Sequence, residues 1–335
     1  MAQYTHTSAS ASAETYERAA TVYCRGPLLD AVQRLRIFDD GKHFVDMPMK
    51  RDPEDILRAF ADLTPGARED RDRLREFVTE HFSDPGAELE PYTCALGPEV
   101  PPFVASGGLR HEGLRAFALA LHGLWPTLIR VTSPSVLAAP QRTSALPRRY
   151  AMVLPGGRFR EAYYWDSLWI VQGLLASGML DLAKGLVKNY LDDIRNFGFV
   201  PNGGRIYYLN RSQPPMLHAM VAAVANCMAE EEQAEWLAEA VVELKREYEW
   251  WMGNASGHAV QIGHFRLNRF HALWDEPRPE SYLEDLVTSG GSKAVCRELA
   301  SVAETGWDFS SRWSRVGGRL GSSGYDLASS EATRV

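Results

Sequence analysis

The sequence predicts an all-α protein with one small β-hairpin. Three observations carry that prediction. The longest patterned stretch, Ser167 to Phe197, is amphipathic at helical spacing and breaks once, near Ser177-Gly178, as the two helices of a hairpin do. Comparable helical segments recur on both sides of it. Strand candidates are scarce, and the clearest alternating stretch, His258 to Phe270, reads as a hairpin around Gly263.

Taken in order, residues 1–20 are polar and rich in Ala, Ser and Thr, which predicts a disordered start. Met1 to Glu14 lacks the apolar core of a secretory signal. Pro27 to Phe38 is a short helix whose Leu28, Leu29, Val32, Leu35 and Ile37 form most of an apolar stripe. Asp39-Asp40-Gly41-Lys42 is a turn, and Phe44 to Pro48 is extended because a residue before proline avoids the helical region. Asp52 and Pro53 are the favoured N-cap and first residue of a helix running to Leu63. Arg68 to Phe82 is a charged helix with a solvated face and acid–base pairs such as Glu69–Arg73 and Asp72–Arg75.

Asp84 to Gly108 carries five prolines and reads as loop. Leu109 to Val131 is helical, with His111, His122 and Trp125 as packing or surface residues rather than ligands. Met216 to Met228 is almost continuously apolar, as suits a helix buried in the core. Glu230 to Trp251 is amphipathic and starts acidic, which the helix dipole favours. A last helix covers Lys293 to Ala303.

With 335 residues and 45% hydrophobic residues, the chain can build a sizeable core in one large domain or two ordinary ones. A net charge of -7 without a basic stripe argues against a nucleic-acid partner and suits a neutral small molecule. No run approaches the ~20 apolar residues that span a bilayer. Cys24, Cys94, Cys227 and Cys296 are scattered, with no CxxC and no histidine at zinc spacing, and read as free or buried thiols. No metal-ligand cluster or cofactor motif is present: Gly156-Gly157 is not followed by Gly-Lys-Ser/Thr and has no Rossmann spacing.

The chemistry concentrates between Pro155 and Pro215. Pro155-Gly156-Gly157-Arg158-Phe159-Arg160-Glu161-Ala162-Tyr163-Tyr164-Trp165-Asp166 precedes the helical hairpin. Pro201-Asn202-Gly203-Gly204-Arg205 and Asn210-Arg211-Ser212-Gln213-Pro214-Pro215 follow it. Arginine forks and carboxylates fix sugar hydroxyls, flat aromatics cover the apolar faces of a sugar ring, and paired glycines let backbone approach a ligand. Read singly, each residue has a bland alternative: the arginines as salt-bridge partners holding loops together, Trp165 as core packing, an aspartate as a cap.

In this order the motifs resemble those of the trehalases of glycoside hydrolase family 37. The resemblance begins upstream at Cys24-Arg25-Gly26-Pro27-Leu28-Leu29 and at Phe38-Asp39-Asp40 to Asp46-Met47-Pro48. It runs through Pro155 to Asp166, Asn202 to Arg205 and Arg211 to Pro215. It continues in Arg278-Pro279-Glu280-Ser281 and Gly306-Trp307-Asp308-Phe309-Ser310-Ser311-Arg312-Trp313. It spans residues 21–313, with Thr305 standing where the family usually has serine.

The resemblance implies an (α/α)6 toroid and inverting hydrolysis of α,α-trehalose to two glucose molecules, without cofactor or metal. It places the sugar contacts on Arg158, Trp165, Asp166, Asn202, Arg211, Ser212, Gln213, Arg278, Glu280 and Gly306, and the general acid on Asp308. Glu161, Tyr163 and Tyr164 then support the site. An inverting glycosidase sets its acid ~6.5–9.5 Å from a second carboxylate that activates water. Burial of Asp308 beside Trp307 would raise its pKa, as an acid at neutral pH requires, whereas three arginines in one pocket would lower it.

The family's Gln-Trp-Asp signature and its glycine-rich, base-carrying segment have no counterpart here. Trp274-Asp275-Glu276-Pro277 is only superficially similar to the former and stands in the wrong order. Residues 314–335 are rich in Gly and Ser and read as a divergent tail. The expectation is therefore a C-terminally truncated trehalase, its toroid incomplete and its general base missing. Apolar faces such as Met216 to Met228 would lack full partners and favour self-association. Two functions stay open: trehalose hydrolysis, or an inactive fragment that binds sugar weakly or associates with a partner chain.

Overall fold

The computed structural model describes residues 13–93, 97–308 and 310. Helices dominate, as predicted, and they gather around two hydrophobic cores. The first core is N-terminal. Helices Ala13–Tyr23, Pro27–Arg34, Pro53–Asp62 and Arg71–His81 bury Val22, Leu28, Leu29, Ile56, Leu74 and Val78 against Phe44, Phe82 and Tyr207. The disorder expected for residues 1–20 is overturned from residue 13, because Ala19, Val22 and Tyr23 face this core and hold a helix.

The second core holds two consecutive helical hairpins. Asp166–Ala176 and Leu180–Phe197 form the first, broken at Ser177-Gly178 as predicted, and Leu217–Ala225 and Glu230–Met252 form the second. Val171, Leu174, Leu186, Val187, Leu191, Met220, Val221 and Val224 interlock between them. Such stacked hairpins are the repeating unit of the helical toroid that the resemblance implies.

The helix Leu217–Ala225 is thus covered, contrary to the expectation that its apolar face would lack partners. Large exposed apolar side chains lie elsewhere. They include Leu114, Phe117 and Leu121 on helix Glu112–His122, Val241, Val242 and Tyr248 on helix Glu230–Met252, and Ile262 and Phe265 on the β-hairpin.

That hairpin pairs Ala259–Ile262 with Phe265–Asn268 across Gly263-His264, where it was expected. A three-stranded antiparallel sheet of Leu89–Pro91, Ile129–Thr132 and Met152–Val153 was not. The helix predicted from Leu109 to Val131 stops at His122. Gly123 and Pro126 interrupt it, and the β-branched Ile129, Val131 and Thr132 continue as the central strand.

Three further local expectations are corrected. Phe44 and Val45 close a one-turn helix, Gly41–Val45, capped by the Asp40 carboxylate on the Lys42 N–H (2.9 Å), and are not extended. Asp52 precedes Pro53 as predicted but makes no cap, since its carboxylate takes hydrogen bonds from Arg142 (2.7 Å) and Gln141 (3.0 Å). Arg73 pairs with Glu76, and Arg75 donates to the Ile37 carbonyl, instead of joining Glu69 and Asp72. The predicted tail, residues 314–335, and Cys94 lie outside the described residues. Cys24, Cys227 and Cys296 are free thiols.

Candidate active site

Two loops flanking the first hairpin are joined edge to edge. The loop ending in Tyr164-Trp165-Asp166 leaves strand Met152–Val153 and runs into helix Asp166–Ala176. Residues 202–206 lie between it and residues 144–146. Tyr164 N–H donates to Asn202 O (3.1 Å) and Gly204 N–H to Ala162 O (2.9 Å), while on the other side Leu146 N–H donates to Gly204 O (2.9 Å) and Ile206 N–H to Ser144 O (2.8 Å). Gly203 permits this ribbon, because a Cβ there would sit 2.9 Å from the Tyr208 ring.

A buried charge cluster holds the ribbon from beneath. Lys42 Nζ reaches Asp46 (2.5 Å) and Glu161 (2.8 Å), and Arg205 reaches Glu88 (2.7 Å), Glu161 (3.1 Å) and Asp46 (3.4 Å). Tyr207 donates to Asp46 (2.6 Å) and Tyr163 donates to Glu161. Burial alone would raise the Glu161 carboxyl, but the Lys42 and Arg205 charges outweigh it and bring the pKa down to about 2. Glu161 and Tyr163 therefore support the site loop. Tyr164 does so separately: its hydroxyl donates to Glu247 and accepts from the Met216 (3.0 Å) and Leu217 (2.9 Å) N–H groups.

Above this cluster the predicted sugar contacts meet. Arg211 donates from Nε to Asn202 Oδ1 (2.9 Å) and from Nη2 to Glu280 Oε1 (2.6 Å), and its guanidinium lies over the Tyr208 ring, 5.0 Å from the centroid. Glu280 Oε2 is buried and has no hydrogen-bond partner among the described residues. Burial would raise the Glu280 carboxyl, yet the Arg211 and Arg278 charges hold it below the usual range, so it is an anion with an acceptor to spare. Arg278 is clamped on Asp285 by Nε (2.8 Å) and Nη2 (2.7 Å). Arg158 grips Asp40 by Nε (2.5 Å) and Nη2 (3.0 Å), with Nη2 also 3.4 Å from the Glu280 carbonyl.

Trp165, Gln213 and Gly306 form a second group. Gln213 Oε1 accepts from Trp165 N–H (3.1 Å). Gly306 has φ +66° and lies against the indole, where a Cβ would be 2.6 Å from the Trp165 ring. Any other residue would displace the tryptophan or the chain leading to Asp308.

The remaining predicted contacts are placed differently. Ser212 is fully buried, its hydroxyl donating to Val200 O (2.7 Å) and its N–H to Glu304 Oε1 (2.9 Å), so it anchors the loop from behind. Asp166, at the start of its helix, is half-buried, and desolvation raises its pKa. Asp308 is exposed, and Trp307 beside it is 48% exposed, so the burial expected for the acid is not found; the Asp308 charge instead helps keep Arg278 protonated.

Sequence reasoning did not single out Asp40, Asp285, Tyr208 or Glu304. Asp40 stood inside a matched motif but was read as a turn residue. The other three carried no local signal. Glu304 is fully buried and takes hydrogen bonds from Ser212 N–H, His258 Nε2 (3.0 Å) and His271 N–H (2.6 Å), joining the Arg211 loop and the β-hairpin to the helix that leads into Asp308. A cavity of about 530 Å³ lies elsewhere, between helix Ala13–Tyr23, Phe197, Tyr207 and Trp274, and none of the predicted sugar contacts lines it. Among the described residues no helix is long and apolar enough to cross a membrane.

The chain is 40% identical to the trehalase of Homo sapiens over 300 residues, covering 87% of this chain and 51% of that protein. Trehalase of Bombyx mori is 38% identical over 304 residues (87% and 51%), and the probable trehalase of Oryza sativa subsp. japonica 39% over 287 residues (82% and 50%). The chain thus spans about half the length of the curated relatives it matches. The solved structure of neutral trehalase Nth1 from Saccharomyces cerevisiae aligns over 46% of this chain and 30% of its own, at 27% identity and a TM-score of 0.38, too low to bear on the fold. The trehalase family model matches residues 36–333, which extends past Trp313, where the motif-by-motif likeness ends. With that match over most of its length, the chain belongs to the trehalase family.

Proposed function

We propose that the site binds α,α-trehalose and serves its hydrolysis to two glucose molecules with inversion. Asp308 is the general acid that protonates the glycosidic oxygen. Arg158, Asn202, Arg211, Arg278 and Glu280 hold sugar hydroxyls, and Trp165, backed by Gly306 and tied to Gln213, covers an apolar ring face. The observation that carries this reading is the contact chain Asn202–Arg211–Glu280. It joins two neighbouring loop residues to a third that lies 69 residues further along the sequence, and it leaves one anionic acceptor, Glu280 Oε2, without a donor among the described residues. A sugar hydroxyl would satisfy that acceptor. The carboxylate that activates water on the opposite face is not assigned.

The exposure of Asp308 and Trp307 favours a second reading, sugar binding without turnover, since a general acid works best when desolvated. Glucose release and calorimetric trehalose binding by residues 1–335, with Asp308→Asn as control, separate the two. Release that the control lacks supports hydrolysis; binding without release supports the second reading. A folded chain that neither binds nor hydrolyses trehalose rules out both.

A further inference from the structure

We propose that Asp40 is a positioning residue that fixes the orientation of Arg158 toward the sugar site. The inference rests on the sugar-binding reading above for its consequence, but the lock itself is a property of the free protein.

The pair spans 118 residues of sequence and is bidentate: Arg158 Nε meets Asp40 Oδ2 at 2.5 Å and Nη2 meets Oδ1 at 3.0 Å. Two parallel bonds fix both the position and the plane of a guanidinium. The bland alternative is a surface salt bridge, as the two side chains are 28% and 36% exposed, and such pairs contribute little. What sets this pair apart is that Asp40 is itself held on both sides. Its Oδ1 caps helix Gly41–Val45 through the Lys42 N–H at 2.9 Å, and the Lys42 side chain of that turn is buried between Asp46 and Glu161. Gln33 then bolts the turn to the far side of the site, donating to Gly41 O (2.9 Å) and lying 3.4 Å from Pro279 O, next to Glu280. Asp40 is therefore a fixed anion at a set place relative to Glu280, and Arg158 follows it. The Arg158 Nη1 makes none of these bonds, which leaves the fork an edge to offer.

Asp40→Asn separates the two roles of the carboxylate. Asparagine caps a helix as well as aspartate does, but it cannot accept two guanidinium bonds as an anion. The experiment uses residues 1–335, with trehalose as the calorimetric probe and the ¹⁵N-labelled arginine Nε–H signal, assigned with Arg158→Lys, as the structural readout. Expected results are a melting midpoint within about 2 °C of wild type, loss of the slowly exchanging Arg158 Nε–H signal, and about tenfold weaker trehalose binding. In an Arg158→Ala background Asp40→Asn should weaken binding no further, because the effect passes through Arg158. An unchanged Nε–H signal overturns the lock, and additive losses in the double variant overturn its action through Arg158. Failure of the wild-type protein to bind trehalose would instead defeat the sugar-site reading, and the Nε–H signal would still decide whether Asp40 holds Arg158.

Discussion

Glu247 offers a test of how the site loop is anchored. It sits on the long helix Glu230–Met252 with 4% of its surface exposed, and the Tyr164 hydroxyl donates to it. Desolvation raises its pKa from 4.5 to about 7, against a smaller opposing effect of the Tyr164 hydrogen bond. The folded state therefore holds a proton that the unfolded chain releases above pH 4.5. Where the folded state binds the extra proton, stability falls as pH rises, so this contribution is intact below about pH 4.5 and is lost progressively up to pH 7. A change from 4.5 to about 7 amounts to roughly 3 kcal/mol, at about 1.36 kcal/mol per pH unit. Glu247→Gln mimics the protonated acid and keeps the acceptor for Tyr164. Urea unfolding of both proteins from pH 4.5 to 8 should give equal stability at the acid end, with the glutamine variant gaining steadily to between about 1 and 3 kcal/mol at pH 8. Subtracting the two curves removes every other titrating group. Curves that run parallel across that range would refute the reasoning, because Glu247 would then titrate alike in the folded and unfolded states.

Three other outcomes follow from the same structure. Asp308→Asn should abolish glucose release wherever the unmodified protein shows it, while leaving trehalose affinity within about twofold; unchanged turnover would defeat the acid assignment. Gly306→Ala should cost about 1–3 kcal/mol, from a side chain forced into a positive-φ position and against the Trp165 ring, and should shift tryptophan fluorescence; a neutral change would mean that the contact with Trp165 is loose. Lys42→Met should destabilise by about 3–5 kcal/mol in denaturant unfolding, since it removes one of the two cations that Asp46 and Glu161 share; a loss under about 1 kcal/mol would show that Arg205 alone neutralises them.

What the sequence disclosed follows from the range of the forces involved. The hairpin of Asp166–Ala176 and Leu180–Phe197, the helix Glu230–Met252 and the β-hairpin at Gly263 are written in local periodicity and in glycine breaks, and they appeared where expected. The three-stranded sheet was hidden because its strands are two to four residues long and far apart in sequence. The candidate site residues were named through their motifs, but most of the contacts that hold them were not foreseen. Asp40 meets Arg158 across 118 residues, Glu280 meets Arg211 across 69, and Glu304 meets Ser212 across 92. Likewise Asp52 looked like a cap in its own context, and only the fold brings Arg142 and Gln141 to claim its carboxylate.

The pairing of every arginine in the site bears on the kind of ligand it can take. Arg158, Arg211 and Arg278 are each bound to a carboxylate, Asp40, Glu280 and Asp285 respectively, before any ligand arrives. An anionic ligand would have to compete with those carboxylates for the same guanidinium edges and would meet their repulsion. A neutral polyol does not. Its hydroxyls can donate to Glu280 Oε2 and accept from guanidinium N–H groups left over by the ion pairs, completing bonds without changing the charge balance. A largely buried group of matched ions is costly to leave unsolvated, and hydroxyls restore much of what water supplied. The bland reading of these arginines, as loop-holding salt bridges, and the functional one, as sugar contacts, are therefore compatible. The ion pairs set the donors in place, and their unused edges are what a sugar would read.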